Sequence, residues 1–555
     1  MQRASFWRSP DDFLWLRQLH ATLYNSVTTT RCVATTVAPM HALLCAAYFA
    51  VLFFLASYGI HRSHLVYTCL RHARRLREWA SVKPLGDADV RGEGRVLPRV
   101  TVQLPLFNEA TVAHRLLDAA AAFDYPRGLL EIQVLDDSTD ETRSIVKAHV
   151  GRIRKTGVDM QYIHRTDRVG YKAGALDAGL KTAKGELVAI FDADFIPPAD
   201  FLRNVVPHFE DASVGMVQTR WGHLNRSHSL LTQVEGLMLD GHHLVENRAR
   251  MAAGWLFNFS GTGGMWRREA IGEAGGWQHD TLTEDLDLSY RAQLAGWKFI
   301  YRSDVVTPAE LPEDVSAFRA QQYRWAKGTV QTARKLLGRV LSSNLTFSQK
   351  LEAFFHLTPH FAYPLMVTLS VLLLPALLLM PATNAQMMFL IDLPLCIGTT
   401  GSLVAFYTMA ESAQGRSRRE ALKYMPALIA LGAGLAPHLT RAVFDGMTSM
   451  AGEFVRTPKK GSASGRYRAR ADWPWLEAGL SLFSLVSTVA SIRTGHWFAT
   501  PFAALFAFGY GWVACLVALE QTARVRASAH LRTPAPVASR APAGVSSNEG
   551  NEAAA

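Results

Sequence analysis

Hydrophobic residues are distributed along the chain in three regimes. Residues 38–60 form one apolar run long enough to cross a bilayer. Between residues 99 and 342 the runs are short and alternate with amphipathic stretches. From residue 353 long apolar runs return, over 353–381, 387–409, 475–493 and 498–520. In the middle regime, strands are expected at Val100–Leu106, 131–135, 160–163, 187–191 and 215–219. Helices are expected between them at 111–123, 139–150, 173–183 and 199–209. Strand–helix alternation of this kind predicts a doubly wound, mostly parallel α/β sheet. The expected architecture is therefore an aqueous α/β domain at 99–342, inserted in an α-helical transmembrane domain that resumes over 343–521.

The chain has 555 residues and a net charge of +11. The location of the basic residues decides what that charge means. Arg71, Arg74, Arg75 and Arg77 follow the first apolar run. Arg456, Lys459, Lys460, Arg466, Arg468 and Arg470 precede a later one. Basic residues flanking spans mark the cytoplasmic side, so residues 61–98 form a basic juxtamembrane linker and the domain after it is cytoplasmic. No nucleic-acid-binding module accompanies the charge. An uncleaved anchor fits residues 38–60 better than a signal peptide, because no basic segment lies close before it and no small-residue cleavage site follows. Ser9-Pro10-Asp11-Asp12 reads as a helix start for an interfacial helix within residues 1–37, or equally a frayed tail. Residues 424–453 carry His438, Arg441, Asp445 and Glu453 between two basic loops. One simple span cannot join two cytoplasmic loops, so a re-entrant segment, an interfacial segment or a short hairpin is expected. Residues 522–555 read as a disordered tail.

Candidate chemistry is concentrated at strand ends. Glu186–Phe195 reads ELVAIFDADF: an apolar strand, then Asp192-Ala193-Asp194, then Pro197 and Pro198. Acids at i and i+2 on an extended segment point the same way. At the carboxyl end of a parallel strand they overhang the crevice where such sheets bind ligands. Two carboxylates there suit a hard divalent cation shared with phosphate oxygens, although a lone D-x-D is as often a solvated acidic turn. Asp136-Asp137 follows another strand, and Thr283-Glu284-Asp285 comes later. Gln321-x-x-Arg324-Trp325 lies on one face of a helix, where an arginine fork can grip a diphosphate and an indole can stack on a sugar. Taken alone, that pair would equally serve as a membrane-interface anchor.

The ordered series Asp136-Asp137, Asp192-x-Asp194, Thr283-Glu284-Asp285 and Gln321-x-x-Arg324-Trp325 resembles the processive family 2 glycosyltransferases of the cellulose and hyaluronan synthase kind. QLPLFNE (103–109), VLDDSTD (134–140), GYKAGAL (170–176), AIFDADF (189–195) and EDLDLSYRAQLAGWKF (284–299) resemble the cellulose-synthase-like branch that includes plant glucomannan mannosyltransferases. Phe454-Val455-Arg456-Thr457-Pro458-Lys459 is similar to a gating loop of cellulose synthases, with Arg456 and Pro458 departing from the pattern.

The resemblance implies a GT-A-type domain with these roles. Asp136 and Asp137 would contact the nucleoside, and Lys172 the diphosphate. Asp192 and Asp194 would hold Mg2+ or Mn2+. Asp285 would be the general base, with Glu284 beside it. Trp325 would cap the acceptor site, Gln321 and Arg324 would face the donor, and Phe259 and Gly261 would belong to an acceptor-contacting loop. The implied donor is UDP-glucose or GDP-mannose, the acceptor a growing β-linked glucan or mannan, and the location the inner or plasma membrane. One base suffices for inverting transfer from an α-linked donor, unlike the paired carboxylates of a glycosidase. The rival enzyme reading is a single transfer to a glycolipid. A rival of another class is a transporter with a degenerate enzyme-like domain, which the acids at every station and the lack of repeated halves oppose.

Overall fold

The computed structural model describes residues 31–80, 82–379, 397–450, 452 and 472–532. The proposed helix start at Ser9, the gating-like stretch Phe454–Lys459 and residues 533–555 lie outside the described residues.

The first helix among the described residues, α1 (Arg31–Arg71), leads to the sheet. β1 (Val100–Leu106) is buried along almost its whole length, as an apolar run with helices on both faces must be. After α2 (Ala113–Ala121) come β2 (Leu130–Asp136), α3 (Thr142–Arg154), β3 (Met160–His164), α4 (Tyr171–Thr182) and β4 (Leu187–Ile190). β1 pairs in parallel with both β2 and β4, and β2 with β3. Strand order reverses beside β1, which opens a ligand crevice at the carboxyl ends of these strands.

The second half of the sheet departs from the expected pattern. β5 (Val214–His223) is longer than its apolar core suggested. α5 (Leu230–Gly241) and α6 (Asn247–Ala253) follow it, joined by a π turn over His242–Glu246. β6 (Gly264–Arg267) then runs antiparallel to both β4 and β5. Four residues are too few for a periodic signal. After α7 (Glu284–Leu294), β7 (Lys298–Ala309) pairs in parallel with β5. The seven-stranded order is β3-β2-β1-β4-β6-β5-β7.

α8 (Val315–Ser342) leads out of the domain. The apolar run at 353–381 is two helices, α9 (Phe347–Leu357) and α10 (Ala362–Leu379), broken at Thr358. Glu352 of α9 is buried and paired with His61 at 2.7 Å and Arg250 at 2.9 Å, which pins α9 against α1 and α6. α11 (Ser402–Ala413) follows a π turn over Ile397–Gly401. α12 (Arg418–Thr448) is one continuous helix with Pro426 and Pro437 inside it, so of the alternatives expected for 424–453 the hairpin is ruled out. Two of its polar residues, His438 and Asp445, face α8, whereas Arg441 is exposed and pairs with Asp472 at 3.5 Å. Asp445 accepts a hydrogen bond from Tyr323, and the His438 ring lies 5.3 Å from that of Tyr323. α13 (Trp475–Arg493) and α14 (Thr500–Arg532) complete the described chain, α14 continuing past the expected end at 520. Among the described residues five helices are long and apolar enough to cross a membrane: Ala42–Arg71, Pro359–Leu379, Arg418–Thr448, Trp475–Arg493 and Thr500–Arg526.

Buried ion pairs join the two parts. Arg226 pairs with Asp240 and, at 2.6 Å, with Glu411 of α11. Arg319 pairs with Glu477 of α13 at 2.8 Å. Glu520 of α14 accepts the backbone N–H groups of Val315 and Ser316 at the start of α8, at 2.6 and 3.1 Å.

Candidate active site

The carboxyl ends of β1, β4, β5 and β7 open into a cleft closed on one side by α7 and α8. Its walls include Asp137, Lys172, Asp192, Asp194, Gly261, Glu284, Asp285, Gln321, Arg324 and Trp325. Four stations far apart in sequence therefore share one space.

The floor is set by the end of β4. The Phe191 N–H donates to the Gln103 carbonyl at 3.2 Å, and the Asp192 N–H to Thr262 Oγ1 at 2.8 Å. Phe195 then bridges to Ala309 at the end of β7. The D-x-D turn is thus tied to three neighbours, and Phe191 beneath it is fully buried against Phe201 and Phe123.

Lys172, in the first turn of α4, lies with Nζ 2.5 Å from Asp192 Oδ1 and donates to the Gly261 carbonyl at 2.8 Å. Burial opposes its charge, but Asp192 and then Glu284 outweigh burial and hold its pKa above the ordinary lysine value. Gly261 has φ +81°, and a Cβ there would lie 3.0 Å from Asp285 Oδ2. Glycine lets the backbone turn here and leaves the acid room.

Asp285 and Glu284 occupy the first turn of α7, where the helix N-terminus favours negative charge. The Leu286 N–H donates to Asp285 Oδ1 at 2.9 Å. Burial first, and the adjacent Glu284 second, nevertheless push Asp285 up to about 7. Glu284 is also raised, chiefly by burial, with Lys172 acting in the opposite direction. A carboxylate poised near neutrality suits proton abstraction at physiological pH.

α8 fixes this pair from behind. Leu282 N–H donates to Gln331 Oε1 at 2.9 Å, the Thr283 and Thr332 hydroxyls lie 3.1 Å apart, and Asp287 pairs with Lys335 at 2.9 Å. A Cβ on Gly328 would lie 2.6 Å from Thr283 Cγ2, so only glycine allows this approach. On the cleft side of α8, Gln321 Oε1 is buried without a hydrogen-bond partner, as is Ser260 Oγ opposite. Orphaned buried polar atoms lining a cleft mark places for ligand groups. Arg324 is drawn below the ordinary arginine pKa by burial, opposed by Glu284 and Asp192.

Two expected contacts lie elsewhere. Asp136 is fully buried beneath the cleft, accepting from the Ser138 N–H at 2.9 Å and the Tyr162 hydroxyl at 2.7 Å, so it shapes the turn that presents Asp137. Phe259 is also fully buried, edge-on to Trp266, and its N–H donates to Ser289 Oγ. It supports the Ser260–Gly261 loop from behind. Of the residues after α8 considered from sequence as a sugar path, Phe354, Phe355, His356 and Phe361 do not line this cleft, whereas His360 and Tyr363 line a separate cavity among the membrane helices. The Phe355 ring stacks on His61 at 4.4 Å, and His356 is bonded to the Tyr290 hydroxyl at 2.8 Å.

Other cleft features were not read from the sequence. Arg165 holds Asp137 with both arms of its fork, at 2.8 and 2.5 Å. Arg168 lies over the Phe107 ring at 3.3 Å, and Asn108, Arg168 and Tyr171 all have positive φ. Glu310, at the end of β7, pairs with Arg115 at 2.8 Å. Position just after a strand end was the available signal for Phe107, Arg165 and Glu310.

Among the described residues no cluster of three metal-binding side chains occurs, and Asp192 and Asp194 at one turn would supply only part of a cation's shell. That suits a hard cation which completes its shell with diphosphate oxygens and water.

A family model described as "Glycosyltransferase like family 2" matches residues 98–328. Glucomannan 4-beta-mannosyltransferase 1 of Oryza sativa subsp. japonica is 36% identical over 355 residues, covering 61% of this chain and 68% of that protein. Glucomannan 4-beta-mannosyltransferase 2 of Arabidopsis thaliana is 42% identical over 264 residues, covering 47% of this chain and 49% of that protein. Among solved structures, the mannosyltransferase PcManGT from Pyrobaculum calidifontis in complex with GDP-Man and Mn2+ is similar at 25% identity and a TM-score of 0.44, over 64% of this chain and 98% of that one. The chain spans between half and about two thirds of the length of the curated relatives it matches. With the ordered stations gathered in one cleft and these relatives beside them, the chain belongs to the family 2 glycosyltransferases of the cellulose-synthase-like kind.

Proposed function

We propose that the protein transfers mannose from GDP-mannose, with inversion, to the end of a β-linked mannan or glucomannan. The catalytic domain would face the cytoplasm of the inner or plasma membrane, and the product would be exported. The transfer step rests on Asp285, lifted to about 7, in a cleft shared with the Asp192–Asp194 turn, Lys172 and Arg324, and the choice of mannose on the likeness to glucomannan mannosyltransferases.

Asp285 takes the proton of the acceptor hydroxyl as its oxygen bonds to the sugar C1. The C1–O bond to the diphosphate breaks, and the electron pair leaves with the diphosphate. Lys172 and Arg324 stabilise the charge that grows on it. Asp192 and Asp194 would hold Mg2+ or Mn2+, which when bound neutralises diphosphate charge. Trp325 offers its ring face to the acceptor sugar, while Gln321 Oε1 and Ser260 Oγ accept or donate hydrogen bonds to hydroxyls. Arg165 fixes Asp137 for contact with the nucleoside. UDP-glucose remains the competing donor.

The test offers membranes containing the full chain radiolabelled GDP-mannose and UDP-glucose in turn, with magnesium or manganese. Polymer digestible by a β-mannanase, formed from GDP-mannose, is the expected result. A lipid-extractable product carrying one sugar, or no release of nucleotide from either donor, would overturn it.

A further inference from the structure

A second cavity, of about 670 Å3, lies among the membrane helices; the catalytic cleft holds about 190 Å3, and the two share no lining residue. α1 forms one wall, flanked by Phe49 and Tyr58 and built mainly on one stripe: Cys45, Tyr48, Leu52, Leu55, Gly59 and Arg62. Steps of three and four keep these residues on one helical face. The seventeen residue-to-residue steps from Cys45 to Arg62 rise about 26 Å, close to the ~30 Å of a bilayer's hydrocarbon core. α10, α12 and α14 supply Leu373, Leu377, Ile429, Ala433, Phe502 and Phe506 opposite.

Arg62 stands at one end of this stripe. Its guanidinium lies 5.6 Å from the Phe406 ring centre, and it acts electrostatically on Tyr363 and Tyr407, which also line the cavity. Among the described residues no carboxylate forms an ion pair with it. A cation on a spanning helix requires an anion or water. The cavity therefore combines a long apolar trough with a cationic end bearing tyrosine hydroxyls. A polysaccharide would need hydrogen-bond partners along its whole length, and between Cys45 and Leu55 the stripe offers little beyond the Tyr48 hydroxyl.

We infer that this cavity binds one anionic phospholipid. Its phosphate rests on Arg62 near the Tyr363 and Tyr407 hydroxyls, and an acyl chain lies along the α1 stripe. The inference does not depend on which sugar is transferred.

The test is native mass spectrometry of the delipidated full-length protein titrated with phosphatidylglycerol or phosphatidylcholine. One phosphatidylglycerol is expected to be retained with about tenfold preference. Arg62→Gln should abolish that preference. Gly432 lines the cavity, and a Cβ there meets nothing within 4 Å. Gly432→Phe should therefore fill the trough without disturbing the fold and reduce binding of both lipids, with release of nucleotide from the sugar donor kept. Equal retention of the two lipids by the unmodified protein would overturn the inference. So would unchanged binding in Gly432→Phe, which decides the matter alone if Arg62→Gln does not fold. Displacement of the lipid by a β-1,4-mannan oligosaccharide would assign the cavity to the polymer instead.

Discussion

The catalytic cleft and the membrane cavity handle charge in opposite ways. In the cleft, Asp192, Glu284, Asp285, Lys172 and Arg324 crowd together: Asp192 and Glu284 act on Lys172 and Arg324, and Glu284 and Lys172 act on Asp285. In the membrane cavity one cation, Arg62, stands at the end of an apolar trough. The crowded arrangement tunes groups so that a proton can move and a diphosphate can leave. The sparse one can only select and hold. The difference follows from surroundings: strand ends and helix starts supply backbone donors that make clustered acids affordable, whereas the faces of spanning helices supply none.

The comparison is tested most severely at the base. Asp285→Asn should lower sugar transfer by about 10²–10⁴-fold with nucleotide affinity, read by calorimetry, nearly unchanged. Retained turnover would remove the charge cluster from the chemistry. Next comes the support behind it. Gly328→Ala forces α8 away from Thr283, and displacement of the base by a fraction of an ångström should cost about 10²-fold in kcat, with the folded state checked by thermal melting. Arg165→Met frees Asp137 from its fork and should raise the KM for the donor about tenfold with kcat little changed. The mildest effect is on pH. Asp285 must be deprotonated to accept a proton, so kcat/KM should rise as pH rises through about 7. Because Glu284 follows burial as a cause of that elevation, Glu284→Gln should move the rising limb to lower pH. A limb already near the ordinary aspartate range in the unmodified protein would contradict the crowded picture.

What the sequence disclosed follows the same divide. β1 was legible to the residue, and β2, β3 and β4 to within one or two, because each is a buried apolar run bounded by polar turns. β6 was hidden because four residues carry no period. Acid pairs at strand ends were visible; their partners were not, since Arg165 and Lys335 meet Asp137 and Asp287 only through the fold. Asp136 and Asp137 look equivalent in sequence, yet one points into the core and the other into the cleft, as neighbours on a strand must. The continuity of α12 was not legible because Asp445 and His438 find their partners on α8 only through the fold.

The ties on α8 set a limit on dissection. The family-matched segment stops at residue 328. Lys335, which grips Asp287, lies beyond it, and so do Glu477, Asp445 and Glu520, which satisfy Arg319, Tyr323 and the first turn of the helix. Excising the recognisable domain at its sequence borders would strand an arginine and strip the roof from its own active centre. A unit that keeps these contacts is consequently longer than the family-matched segment and includes part of the helical scaffold.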